Sequence, residues 1–213
     1  MKKIISLLLI MTAALSLFSC EKNREYNEGE VAVAARELIP KTADLNIIYW
    51  GAGIGYVKND STSVGYYYEA DPFSLIKYGI TTVDDLKEMT RAVFSDSYSS
   101  NIFDTKLTSV QDGDEIISYA RYYQNYSDAE NREPDRIMVY SRAVVLLSDD
   151  VTYLPETIKV LYSKKQTVFV SIEASVKRGD KTQTRTITVG LVEEEDGWRI
   201  DTPTYISYDE GLN

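Results

Sequence analysis

The sequence predicts an α+β fold in which N-terminal helices pack on a curved antiparallel sheet. Three observations carry this. Residues 30 to 50 repeat apolar side chains at helical spacing, and residues 83 to 94 do so behind a threonine suited to start a helix. Beyond Pro134 the chain changes to runs rich in β-branched residues, separated by short polar turns. Helices followed by a block of strands argue for segregated α+β rather than alternating strand and helix.

The first residues set the compartment. Lys2 and Lys3 precede an apolar run from Ile4 to Leu15 and then small residues, the three-part build of an export signal. The run is too short to span a bilayer, which takes about 20 apolar residues. It ends at Leu17-Phe18-Ser19-Cys20, and Cys20 is the only cysteine of the chain. These four residues resemble the lipobox of bacterial lipoproteins. That resemblance implies removal of residues 1–19, a lipid on Cys20 and a place in the cell envelope outside the cytoplasmic membrane. Residues 20–29 read as a polar tether, and residues 30–213 as a single domain with a sizeable core.

With 33 acidic against 23 basic side chains, the 213-residue chain carries a formal charge of −10. Such a surface repels nucleic-acid backbones and anionic headgroups, so no nucleic-acid partner is expected and membrane contact falls to Cys20. No cysteine remains for a disulfide.

In chain order, Val31, Ala34, Ala35, Leu38, Leu45, Ile48 and Tyr49 form the buried stripe of the first helix, which Pro40 is expected to kink or split. GAGIG at residues 51–55 follows a helical pattern, not a strand, so it reads as a helix stop rather than a phosphate loop. VGYYYEADPF at residues 64–73 is extended until Pro72, and Tyr66, Tyr67 and Tyr68 cannot all face inward from one strand. Thr82 caps the next helix, Asp84 and Asp85 favour its positive end, and Leu86, Met89, Val93 and Phe94 are its buried stripe. A third helix is expected over Asp114 to Tyr123, with Ile116, Tyr119, Tyr123 and Tyr126 near one face.

Four strands are then expected, in DRIMVYSRAVVLL, TIKVLYS, TVFVSIEASVKR and TQTRTITVGLVEEE. Val168, Val170, Ile172, Ala174 and Val176 alternate inward, which puts Glu173 with Ser171 and Ser175 on the solvent face. RGDK at 178–181 reads as a hairpin turn and not as an adhesion motif, and Asp196-Gly197 as the next turn. In the last strand Trp198, Ile200 and Thr202 are expected to face the interior. Arg199 and Asp201 would point outward, and Tyr205 is a candidate mouth residue.

The segment TVFVSIEASVKRGDKTQTRTITVGLVEEEDGWRI, with the capped helix TTVDDLKEMTRAVF, resembles the nuclear transport factor 2-like (SnoaL-type) superfamily over about residues 30 to 205. The resemblance implies a strongly bent sheet wrapped around helices as a cone. The TVDDLK-type helix and the tyrosine-rich segments also resemble secreted inhibitors of cell-wall DL-endopeptidases.

Histidine is absent from the chain, which excludes a histidine base, a Ser-His-Asp triad and histidine-based metal sites. With Cys20 lipidated, no thiol nucleophile remains. The acids at 112–115, 149–150 and 193–196 sit at turns and lack the spacing of a calcium loop, so neither metal nor cofactor is expected. Seventeen tyrosines are the unusual feature. They make Tyr66, Tyr68, Trp198 and Tyr205 the candidate ligand-binding residues, since such rings join a rigid apolar body to a polar tip. The expectation is a lipid-anchored, non-catalytic binding or interaction module of the cell envelope, meeting a cell-wall component or an envelope protein. Alternatives are a histidine-free hydrolase acting through carboxylates and an inhibitor docking on a cell-wall enzyme.

Overall fold

The computed structural model describes residues 25–113, 115–128, 133–147, 150–178 and 180–207; Cys20 and the lipobox, Asp114, Asp149 and Gly179 lie outside them. Helix α1 (Glu28–Trp50) starts at the Asn27 cap, whose side-chain oxygen accepts from Gly29 N and Glu30 N. It runs through Pro40 without a break, contrary to the expected split. A proline costs the helix one bond, and burial of the flanking turns outweighs it: Leu38, Ile39, Thr42 and Leu45 are all buried. At about 1.5 Å per residue the helix is roughly 34 Å long, so its two ends lie at opposite sides of the domain.

The second half of the chain is an antiparallel meander. Strands β7 (Asp150–Lys164), β8 (Thr167–Arg178), β9 (Lys181–Glu194) and β10 (Gly197–Ile200) lie in the order β10-β9-β8-β7. The register between β7 and β8 shifts twice, between Leu154 and Lys159 and between Val160 and Tyr162. Such bulges bend a strand and curve the sheet. Helix α1 packs across β7, β8 and β10. Its Val31, Ala35, Ile39, Leu45 and Ile48 meet Val168, Val170, Ile172, Ala174 and Val176 from β8, Val189 and Leu191 from β9, and Ile200. The alternation read in β8 is therefore the core face. Glu173 on the other face is half-buried, with its N–H donated to Thr157 Oγ1. Among the described residues the packed core, with the half-buried Tyr26 against it, draws on nothing before residue 26.

A second antiparallel sheet stands at the C-terminal end of α1. It consists of β1 (Tyr56–Val57), β2 (Tyr67–Ala70), β5 (Tyr122–Asp128) and β6 (Glu133–Tyr140), in the order β1-β2-β6-β5. Helix α2 (Pro72–Tyr78) follows β2, with Asp71 as cap and Pro72 at its first position. Helix α3 (Val83–Arg91) begins at Thr82 with a full capping box closed by Asp85. Leu86 is buried and Met89 half-buried, while Val93 and Phe94 lie beyond the helix end and cover the open edge of β10. There Ile200 N donates to Val93 O and Ser95 N donates to Ile200 O. Ser95 then caps α4 (Asp96–Lys106).

Three further expectations need correction. The third helix is absent: Glu115–Ser118 form β4, paired with β3 (Val110–Asp112), and Tyr122 and Tyr123 open β5. Gly113 at φ 59° makes the β3–β4 turn, and the stretch is rich in tyrosine and isoleucine, which favour strands. In so short a segment that preference and the cross-strand partners Val139 and Met138 win over helical spacing. The strand expected over DRIMVYSRAVVLL stops at Tyr140, because Ser141 turns back to donate to Tyr66 O through N and Oγ. The last turn is centred on Glu195 and Asp196, since Gly197 already pairs with Glu194.

Candidate functional site

The C-terminal end of α1 is where the second sheet, α4 and the chain after β6 converge. Carbonyls at that end are taken by Tyr122, the first residue of β5, and by Arg121 just before it. Tyr122 Oη donates to Ile48 O at 2.7 Å, and Arg121 Nη2 donates to Gly51 O at 2.6 Å. Arg121 Nε also donates to Tyr122 Oη at 3.0 Å. A buried cation is thereby placed against the negative end of the helix dipole. The GAGIG loop makes this approach feasible. At Gly53, φ 81°, a Cβ would stand 2.5 Å from Arg121 Nη2 and 2.6 Å from Tyr122 Oη.

Arg121 is held in the backbone as well. Its N–H donates to Lys106 O at 2.6 Å, and its carbonyl accepts from Tyr140 N at 2.9 Å. The end of α4, residues 117–121 and residues 140–146 thus form three walls of one groove of about 380 Å³. The Leu146 N–H donated to Trp50 O ties the third wall to α1. Lys106, Arg121 and Arg142 bring three cations to the groove, Tyr119 and Tyr140 bring hydroxyls, and no lining residue among those described is acidic.

Electrostatically the groove contrasts with the net acidic charge of the chain. Among the described residues none of the three cations forms an ion pair. Arg142 lies over the Tyr66 ring, 3.6 Å from its centroid, and Lys106 Nζ lies 6.0 Å from the Trp50 ring. Burial, and next the charge of Arg121, pull the Lys106 ammonium below the ordinary lysine value. Arg121, only 6% exposed, spends two of its five N–H groups on Gly51 and Tyr122. Tyr119 and Tyr140 stack at 4.9 Å with planes 7° apart, and Tyr66 meets both edge-on. Buried Tyr67 donates to Ala120 O at 2.7 Å and fixes the wall from behind.

The residues named from sequence do not share one site. Tyr66 stands at the groove rim under Arg142. Tyr68 points elsewhere and stacks on Tyr56 at 5.3 Å. Trp198 is half-buried against the core near Ile200, away from the groove. Tyr205 packs on Trp50 with its ring tilted at 4.7 Å and lines a small cavity of about 40 Å³ with Asn46, Leu147 and Tyr153. That cavity is floored by a buried polar cluster in which Asn46 Nδ2 donates to Tyr153 Oη and Thr204 Oγ1, each at 2.9 Å. Arg199 and Asp201, expected to point outward, are tied down instead. Arg199 Nε donates to Arg91 O at 3.1 Å, and Asp201 accepts from Ser95 Oγ. The cause is the end of α3 and the segment after it, residues 91–95, laid along β10, which covers an edge the sequence leaves open.

Sequence reasoning missed Lys106, Arg121 and Arg142. They are scattered over three segments, and each alone reads as a surface charge. Comparison with known proteins finds no matching family model, no matching relative and no matching solved structure.

Proposed function

We propose that this protein is a lipid-anchored, non-catalytic binding module of the cell envelope, tethered through Cys20, that takes its ligand in the Lys106–Arg121–Arg142 groove. The observation that carries this reading is the groove itself: three cations without carboxylate partners among the described residues, gathered in a chain of charge −10. Cations held so close to one another are stabilised when an anion joins them. The groove lies at the end of α1 opposite Asn27, where the chain enters the helix, which suits a site presented away from a membrane. The bent meander with a long helix against it supports a nuclear transport factor 2-like fold within the same reading.

The test is native mass spectrometry of the full chain purified from the envelope of the organism that makes it. The wild-type chain should carry an additional small-molecule mass, and the Lys106→Glu/Arg142→Glu chain should lack it. The same bound mass on both chains, or on neither, would refute a binding role for the groove.

A further inference from the structure

We propose that the groove takes a small amphiphilic anion, with a carboxylate or phosphate head against Lys106, Arg121 and Arg142 and an apolar body laid on Ile117, Val144 and Leu146. This rests on the binding-module reading above and names the chemistry of its ligand.

The apolar half is as specific as the charged half. Ile117 is 64% exposed, Val144 72% and Leu146 41%. They come from two separate segments, the end of β4 and the loop after β6, and the fold brings both to the same groove. A scattered exposed aliphatic residue is ordinary, whereas several beside a cluster of cations form a surface with two chemistries. Neighbouring Val145 is exposed as well.

The charged half is built, not incidental. Arg121 is fixed by Gly51 and Tyr122 and keeps N–H groups in hand, so its guanidinium can receive an oxyanion without first paying to be ordered. Lys106 is half-buried beside it with no carboxylate partner among the described residues, and Arg142 stands at the rim on Tyr66. A carboxylate or phosphate placed among them would be held by hydrogen bonds to ionised donors, the stronger kind. The net acidic charge of the chain repels the same ligand at a distance, and the cations of the groove offset that repulsion locally. A volume of about 380 Å³ fits a small molecule rather than a polymer.

The experiment uses isothermal titration calorimetry on the chain from residue 21 onward, whose described core needs nothing before residue 26. The probes are decanoate, decyl phosphate, decanol, acetate and inorganic phosphate, all below micellar concentrations. At least one of the two alkyl anions should bind at least tenfold more tightly than decanol and than the bare anions, and their ratio distinguishes a carboxylate head from a phosphate head. Arg142→Glu and, separately, Ile117→Asp should each weaken that binding at least tenfold, with melting temperatures matching wild type. Equal binding of decanol, or of acetate and inorganic phosphate, would overturn the proposal by showing that one half of the surface suffices. No binding of either alkyl anion also overturns it. If a charge-dependent mass is still found on the purified chain in that case, the ligand class falls and the binding module stands.

Discussion

Arg121 donates from Nη2 to the carbonyl of Gly51 at 2.6 Å, closing the C-terminal end of the helix on which both sheets depend. A buried guanidinium bonded to a backbone carbonyl contributes on the order of 1.5–3 kcal/mol, and the helix dipole adds to it. Arg121→Gln should therefore cost about 2–3 kcal/mol in urea denaturation. Gly53→Ala should be destabilising by a similar amount, because its Cβ would collide with Arg121 Nη2 and Tyr122 Oη and its φ of 81° is strained for alanine.

The capping box of α3 makes a pH prediction. Asp85 accepts from Thr81 Oγ1, Thr81 N and Thr82 N, and these bonds hold its carboxyl down at about 2. An unfolded aspartate titrates near 3.9. The folded value is the lower one, so the stabilisation is fully present above about pH 4 and is lost as pH falls through about 2. Asp85→Ala should cost about 1 kcal/mol at neutral pH, and the gap between mutant and wild type should close between about pH 4 and pH 2. A gap independent of pH would show that the carboxylate does not act through its charge.

Trp198 separates packing from binding. It is half-buried against the core and does not line the groove. Full burial of a tryptophan is worth about 3–5 kcal/mol on truncation to alanine, so a half-buried one should cost about 2–3 kcal/mol. Calorimetry on the folded Trp198→Ala chain should give alkyl-anion binding within about twofold of wild type.

The anchor has its own test. Changing Cys20 to Ser should leave the signal uncut or release the protein from membranes, read by membrane fractionation and by the mass of the mature chain. Unaltered cleavage and fractionation would remove the lipid anchor from the account.

Much of the fold was legible because it rests on local periodicity. The alternation of Val168 to Val176 named the buried face of β8, and Thr82 with Asp85 marked the start of α3. What the sequence hid was non-local. Tyr119, Tyr122 and Tyr123 satisfy helical spacing as well as a strand does, and only pairing with β6 decides between them. Val144 to Leu146 looked like strand interior, yet the Ser141 bonds to Tyr66 O end the strand and leave Val144 and Leu146 exposed on the groove. The groove was illegible for the same reason. Lys106 ends a helix, Arg121 precedes one strand and Arg142 follows another, and nothing in their spacing announces that they meet.

The most direct measurement uses Trp50 as a reporter, since Lys106 Nζ lies 6.0 Å from its ring and Leu146 N bonds its carbonyl. In a Trp198→Phe chain Trp50 is the sole tryptophan, and its fluorescence can be followed during titration with decanoate and decyl phosphate. The account predicts a saturable change with at least one of them, at the concentrations where calorimetry registers binding, and at least a tenfold shift of the midpoint in the Arg142→Glu chain. An unmoved Trp50 signal at concentrations where the probe binds, or an unchanged midpoint after the charge reversal, would contradict it.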